Sequence, residues 1–279
     1  MQTTIYRALR WAIASIGMPA LMFGCGAGPG SQPAHGAHAD STPKGAVVLV
    51  HGAFADGSAW TDVVSQLTHD GYTATAVQNS LFSFEQDVAT TKRVIEAQRG
   101  PVVVVGHSYG GAVITAAAAG NPNVKALVYV TAFAPDTGEK IGELFGKLGH
   151  PPLLDVLVKD EGGFLTIDRA KFHDAFANDV SPERAAVLAA TQKPIFEGAF
   201  GGAISGEPAW KTIPSWFLVC SSDRAISVPL QQYMAKRIAA TVVEIDASHV
   251  PFLSHPAEVT SIIEQAAVAT TTPKVASTP

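Results

Sequence analysis

The sequence predicts an α/β protein: a mostly parallel β-sheet with helices on both faces and an inserted helical cap. Short apolar runs alternate with amphipathic stretches along most of residues 46–270, as expected for a sheet that is buried on both faces. The alternation breaks once, between Val130 and Ile213, over a stretch too long to be a structureless loop in a compact domain. The chain has 279 residues, enough for one large domain with an insertion.

Six strands and five helices follow from this pattern. The strands are expected at Ala46–Val50, Thr73–Val77, Val102–Val105, Ala126–Val130, Trp216–Cys220 and Thr241–Ile245. The helices are expected at Ala59–His69, Glu85–Gln98, Gly111–Ala119, Pro229–Ala239 and Ala257–Ala267.

The interruption predicts a cap over the C-terminal edge of the sheet. It has several short helical patterns, no clear strand, and breaks at Pro151-Pro152, Gly162-Gly163 and Gly201-Gly202. We therefore expect residues 46–132 and 213–270 to form the core, residues 133–212 a helical cap, and residues 271–279 a C-terminal tail.

Composition and charge exclude several classes of protein. Hydrophobic residues make up 47% and charged residues 15%, which is typical of a compact globular enzyme. The net charge of −5 comes from 19 basic and 24 acidic residues without a long run of either sign. No nucleic-acid partner is therefore expected, and the expected ligand is a small molecule.

The N-terminus is typical of an exported protein. Arg7 and Arg10 precede the apolar stretch 11–23, so residues 1–24 are predicted to be an export signal. The sequence at 22–25 resembles a bacterial lipoprotein signal, in which Cys25 becomes the lipidated terminus. The alternative is ordinary cleavage near Asp40. Residues 25–45 would form a flexible linker, so we expect a periplasmic or extracellular protein whose only membrane contact is an anchor at Cys25.

A candidate nucleophile lies in the third predicted strand. Four valines lead into Gly106-His107-Ser108-Tyr109-Gly110, which fits the G-x-S-x-G pattern, and a helix follows. The sharp turn between strand and helix exposes the Ser108 hydroxyl, while Gly106 and Gly110 provide clearance. The Tyr109 N–H lies at the positive end of the helix, where it can stabilise developing negative charge.

A serine nucleophile needs a base, and the base needs an acid to orient it. Both should lie on loops at the C-terminal ends of later strands, where ligands bind in open parallel sheets. Asp223 follows the strand 216–220 and His249 follows the strand 241–245. The order Ser108, Asp223, His249 is that of nucleophile, acid and base in one large class of hydrolases.

Other residues compete for these roles. Asp136 also follows a strand and is an alternative acid, although its place at the start of the cap favours a hinge or capping role. Asp246 is expected to cap a loop, His255 to start the final helix, and His107 to point away from the hydroxyl. The histidines show no metal-ligand spacing, so neither a metal nor a cofactor is expected.

The loop after the first strand supplies a second donor for an oxyanion hole. Gly52 allows the chain to turn close to the nucleophile, and the Ala53 N–H can then point toward the carbonyl oxygen of a substrate. Together with the Tyr109 N–H it would hold a tetrahedral intermediate.

Four motifs resemble the α/β-hydrolase superfamily, over residues 46–267. They are His-Gly-Ala-x6-Trp, Gly-His-Ser-Tyr-Gly-Gly, Val-Cys-Ser-Ser-Asp-Arg-Ala-Ile and Ser-His-x-Pro-Phe-Leu-Ser-His-Pro. They are most similar to the branch of plant-type methyl esterases and hydroxynitrile lyases, with their bacterial relatives. The resemblance implies an α/β-hydrolase fold with Ser108 as nucleophile, Asp223 as acid and His249 as base, and with Ala53 and Tyr109 as the oxyanion donors.

Two departures favour esterase chemistry over lyase chemistry. In the lyases a threonine takes the place of Gly52 and a lysine follows the catalytic histidine, where this chain has Val250. The expected activity is that of a serine carboxylesterase acting on small to medium hydrophobic esters through an acyl-enzyme. The alternatives are a hydroxynitrile lyase, a cofactor-free perhydrolase or haloperoxidase, and a non-catalytic receptor on the same fold.

Overall fold

The structure, a computed structural model, describes residues 44–271. Its strands are β1 (Ala46–Val50), β2 (Thr73–Ala76), β3 (Val102–Ser108), β4 (Val124–Ala132), β5 (Leu157–Lys159), β6 (Phe164–Ile167), β7 (Ile195–Phe196), β8 (Ser215–Cys220) and β9 (Thr241–Ile245). Six of them form one sheet in the order β2-β1-β3-β4-β8-β9. Every neighbouring pair in this sheet is parallel. The predicted fold class is therefore confirmed.

Some helices pack against this sheet, and others belong to the insertion between β4 and β8. They are α1 (Thr61–His69), α2 (Phe84–Glu96), α3 (Tyr109–Ala117), α4 (Ile141–Leu144), α5 (Phe172–Phe176), α6 (Pro182–Thr191), α7 (Val228–Arg237), α8 (Pro251–Ser254) and α9 (Pro256–Thr271). Helix α1 packs with α9, and α2 packs with α3. No helix in the described part of the chain is long and apolar enough to cross a membrane.

The sheet is buried because its central strands are apolar on both faces. Every residue of β1 and of β3 is buried, and both strands are rich in valine. A strand covered on both faces has no polar side, which is why these runs show no alternation in the sequence. Helix boundaries follow local signals: the Ser83 hydroxyl accepts from the N–H of Gln86 at the start of α2 (3.2 Å).

The segment between β4 and β8 differs from the expectation of a cap without strands. Strands β5, β6 and β7 form a small antiparallel sheet, and the same segment contains α4, α5 and α6. The Gly162-Gly163 pair forms part of the turn between β5 and β6, where Gly163 has φ +81°. The sequence pattern did not reveal these three strands because strands of two to four residues are too short to show alternation.

The loop between α5 and α6 docks against the loops that follow β8 and β9. The Ser248 N–H donates to Asp179 (2.8 Å), and the Asn178 amide donates to the Ser222 carbonyl (3.4 Å). These contacts hold the insertion over the C-terminal edge of the sheet. The predicted export signal, Cys25 and residues 26–43 lie outside the described residues, as do residues 272–279.

Candidate active site

Ser108 lies at the junction of β3 and α3 in a strained backbone conformation. Its φ is +51° and its ψ is −123°, which costs a residue with a side chain on the order of 1–3 kcal/mol. The surrounding chain is very close: a Cβ added at Gly106 would lie 2.6 Å from the Gly110 carbonyl oxygen. A Cβ at Gly110 would lie 2.5 Å from the Val50 carbonyl oxygen. The turn around Ser108 therefore requires glycine at both positions.

Asp223 and His249 are in direct contact at the C-terminal edge of the sheet. His249 Nδ1 donates to Asp223 Oδ2 over 2.8 Å, and both side chains are buried. Asp223 Oδ1 accepts from the backbone N–H groups of Ala225 (2.6 Å) and Ile226 (3.0 Å). The carboxylate is thus fixed by its own loop, and it fixes the tautomer and orientation of the imidazole.

Two further residues hold the same carboxylate, and neither was among the predicted site residues. The Thr131 hydroxyl and the Gln231 amide both donate to Asp223 Oδ2, the latter over 3.0 Å. Gln231 also accepts from the Cys220 N–H (3.1 Å), so it ties α7 to the end of β8. Gln231 lies on α7, eight residues after Asp223. This short separation was the only feature of the sequence that could have suggested a contact between the two side chains.

His107 contacts the backbone and the ring of His249. Its Nε2 donates to the His249 backbone carbonyl over 2.8 Å, and the two rings lie 4.7 Å apart. Complete burial, with a smaller effect of His249, holds the pKa of His107 well below its ordinary value. The side chain is therefore neutral, and it acts as a fixed donor next to the candidate base.

The loop after β1 touches the nucleophile, as expected for an oxyanion loop. A Cβ added at Gly52 would lie 2.7 Å from the Ser108 Cβ. The Asn79 N–H donates to His51 Nε2 (3.1 Å), so Nδ1 carries the proton and donates to the Gly52 carbonyl (2.9 Å). Burial lowers the pKa of His51, which keeps the ring neutral and able to accept.

This hydrogen bond orients the Gly52–Ala53 peptide. In a trans peptide the N–H points opposite to the carbonyl, so fixing the Gly52 oxygen also fixes the direction of the Ala53 N–H. The second candidate donor, the Tyr109 N–H, belongs to the first turn of α3. Both donors are thus set by rigid backbone next to Ser108.

The Tyr109 side chain has a separate task. Its hydroxyl donates to Asp87 Oδ2 over 2.9 Å in a buried contact. Burial and the neighbouring Asp87 carboxylate raise the pKa of Tyr109. Asp87 also accepts from Ser80 and from the Leu81 N–H (3.1 Å), so it links α2, α3 and the loop after β2.

The competing residues have partners elsewhere. Asp136 pairs with Lys211 on the surface (3.0 Å). Asp246 accepts from the Ser222 hydroxyl (2.5 Å), which fits the loop-capping role expected of it. His255 Nδ1 faces Asp179 at 3.7 Å, at the start of the final helix.

The chain is similar in sequence to several characterised hydrolases. The chain is 29% identical to the alpha/beta hydrolase nvfD of Aspergillus novofumigatus, over 80% of this chain and 97% of that protein. It is 27% identical to a pyrethroid hydrolase of Sphingobium wenxiniae (75% and 83% covered) and 26% identical to methylesterase 3 of Arabidopsis thaliana (78% and 94% covered).

Solved structures show the same fold. The crystal structure of a pyrethroid hydrolase from Sphingobium faniae aligns with a TM-score of 0.69 and 25% identity, covering 81% of this chain and 98% of that one. Together with the methylesterase match, this confirms the resemblance to plant-type methyl esterases and their bacterial relatives. The model of the alpha/beta hydrolase family matches residues 47–262. The chain belongs to the alpha/beta hydrolase family.

Proposed function

We propose that the protein is a serine carboxylesterase that hydrolyses small to medium hydrophobic esters. The observation that carries the proposal is the buried Asp223–His249 hydrogen bond (2.8 Å) at the same sheet edge as the strained Ser108 turn. The similarity to a methylesterase and to pyrethroid hydrolases supports ester hydrolysis as the reaction.

In the proposed mechanism His249 Nε2 takes the proton of Ser108, whose oxygen attacks the ester carbonyl. The N–H groups of Ala53 and Tyr109 hold the oxyanion of the tetrahedral intermediate, and each such donor contributes about 3 kcal/mol. His249 then gives the proton to the leaving alcohol. Water then loses a proton to His249 and attacks the acyl carbonyl, and His249 returns that proton to the Ser108 oxygen as the acid leaves.

The experiment is steady-state turnover of p-nitrophenyl acetate by the wild type and by Ser108→Ala. We expect many turnovers for the wild type and a fall in kcat of about 10⁴-fold or more for the variant. A serine-directed phosphonate should add its mass to the peptide that contains Ser108. Full activity of Ser108→Ala would disprove the mechanism, and about one turnover by the wild type would indicate a receptor.

The packing around Gly52 disfavours the lyase alternative. The threonine found there in hydroxynitrile lyases would place its Cβ 2.7 Å from the Ser108 Cβ and 2.8 Å from His107 Nδ1. Val250 is uncharged and cannot stabilise a departing cyanide ion. Perhydrolysis would use the same residues with peroxide and is measured separately as peracid formation.

We also propose that the protein is exported and anchored by a lipid at Cys25. The charged and apolar N-terminal segment supports this proposal. The mass of the mature protein tests it: lipidation predicts a chain starting at Cys25 with added lipid, and ordinary cleavage predicts an unmodified start near Asp40.

A further inference from the structure

A cleft of about 350 Å³ opens between the insertion and the loop that follows Ala53, one of the two proposed oxyanion donors. Its floor is aromatic and buried, formed by Phe54, Phe176 and Phe252, while its rim carries the exposed side chains of Asp62 and Arg184. A volume of this size suits one ring system or a branched chain of a small ligand.

The cleft adjoins the catalytic residues on the side of His249. Val250, the next residue along the chain, lines it. The Phe176 ring packs edge-on against the His249 ring, with 4.9 Å between ring centres, and the Phe54 ring meets Phe176 at 6.1 Å. Phe54 is also the residue after Ala53, and its φ of +62° is unusual for a bulky side chain.

The catalytic residues themselves are closed off. Ser108 is 6% exposed and His249 is 1% exposed. Because Phe176 packs on His249 and both Phe54 and Phe176 line the cleft, these two rings separate the cleft from the catalytic residues. A substrate with its carbonyl at Ser108 and one of its two portions in the cleft would have to displace these rings.

The direction of proton transfer indicates which portion of the ester, alcohol or acid, lies in the cleft. In the proposed reaction His249 protonates the oxygen of the leaving alcohol, so the alcohol must lie on the His249 side of the carbonyl. We infer that the cleft binds the alcohol portion of the ester, that Phe54 and Phe176 form its gate, and that the preferred alcohols are apolar and aromatic. This inference rests on the proposed esterase function. Edge-to-face contacts with the phenylalanine rings supply the preference for aromatic alcohols.

Helix α6 forms the outer wall, and it is held in place. Arg184 pairs with Asp62 on α1 (3.6 Å) and donates to the Leu253 carbonyl on α8 (3.1 Å). Leu188 and Thr191, on the same helix, line the cleft. Neither is one of the proposed catalytic or oxyanion residues, so substitutions there change the shape of the cleft and leave those groups in place.

The test compares two series of esters in a pH-stat. One series varies the alcohol: the acetates of methanol, butanol, benzyl alcohol and naphthylmethanol. The other varies the acid: the methyl esters of acetic, butanoic, hexanoic and phenylacetic acids. The variants are Leu188→Trp and Thr191→Trp, which fill the cleft, and Thr191 is exposed enough to accept the change. The control is Val187→Trp, on the same helix but 62% exposed and outside the cleft.

We expect both filling variants to raise KM for naphthylmethyl acetate about tenfold or more, and to leave the methyl-ester series within about twofold of wild type. Val187→Trp should match the wild type in both series. A selective loss on long acyl chains, or no loss in either series, would overturn the assignment of the cleft while leaving the esterase intact. If the wild type hydrolyses no ester, or if Ser108→Ala keeps full activity, the proposed function fails and the cleft assignment fails with it.

Discussion

Thr131 carries a hydroxyl that points at the candidate acid from the far end of β4. The residue lies 92 positions before Asp223 and donates to its Oδ2, the same oxygen that accepts from His249. Its φ of +38° is uncommon for a β-branched residue and indicates that the position is constrained by its surroundings. On the proposed mechanism, Thr131 would be a positioning residue that acts through Asp223.

Removing this hydroxyl should slow the reaction without weakening substrate binding. A hydrogen bond to a charged group is worth about 1.5–3 kcal/mol, so Thr131→Ala should lower kcat by roughly tenfold or more and leave KM unchanged. Thr131→Ser keeps the donor and should restore most of the rate. The measurement is kcat and KM on p-nitrophenyl acetate; a lower melting temperature with wild-type kcat would assign Thr131 a purely structural role.

Single site residues could be predicted only where a short local sequence motif identifies them. Ser108, Asp223 and His249 each sit in a short motif at the end of a strand, so their places could be inferred from neighbours in the sequence. Thr131 and His107 act across long separations, and His107 meets His249 142 positions away. Such contacts depend on strand order and register, which single-sequence patterns do not contain.

At the scale of elements, the same distinction holds. Long valine-rich strands were predicted to within a few residues, because burial on both faces leaves an apolar run. The short strands β5, β6 and β7 left no such signal. Helix α3 begins at Tyr109, two residues before its predicted start, because the turn at Ser108 leads directly into it without a separate loop.

Helices α2 and α3 are joined by the buried Tyr109–Asp87 hydrogen bond, which gives a second prediction. Tyr109→Phe removes one donor from a buried carboxylate and should lower the free energy of unfolding by about 1–3 kcal/mol. The proposed oxyanion donor at this position is the backbone N–H, so kcat should stay within about twofold of wild type.

Urea unfolding and esterase assays of the same preparation check both parts. Tyr233→Phe is the matched control, because Tyr233 is 37% exposed and should lose little stability. A large fall in kcat at unchanged stability would instead give the Tyr109 hydroxyl a part in the chemistry.

At the scale of the whole molecule, two buried neutral histidines make stability depend on pH. Burial holds the pKa of His51 below 6.5 and that of His107 well below 6.5. Between those folded values and 6.5 the unfolded chain binds more protons, so the free energy of unfolding falls as the pH is lowered through this window. Each histidine contributes about 1.4 kcal/mol per pH unit within its own window.

His107→Gln isolates one of these contributions. The glutamine amide can still donate to the His249 carbonyl but does not titrate. Below pH 6.5, we expect the slope of unfolding free energy against pH to decrease by about 1.4 kcal/mol per pH unit, which corresponds to one proton. Equal slopes for His107→Gln and wild type would contradict the prediction.

The candidate site is assembled from strands that lie far apart in the sequence, which has a consequence for the chain during its synthesis. Strand β4 pairs with β3, which ends at Ser108, and on its other side with β8, which leads to Asp223. Strand β9, which leads to His249, lies beyond β8 at the edge of the sheet and is the last strand in the sequence. A growing chain therefore contains the candidate nucleophile long before the candidate acid and base have been synthesised. On the proposed mechanism, a chain that ended before β8 would lack both groups that activate Ser108 and would be inactive.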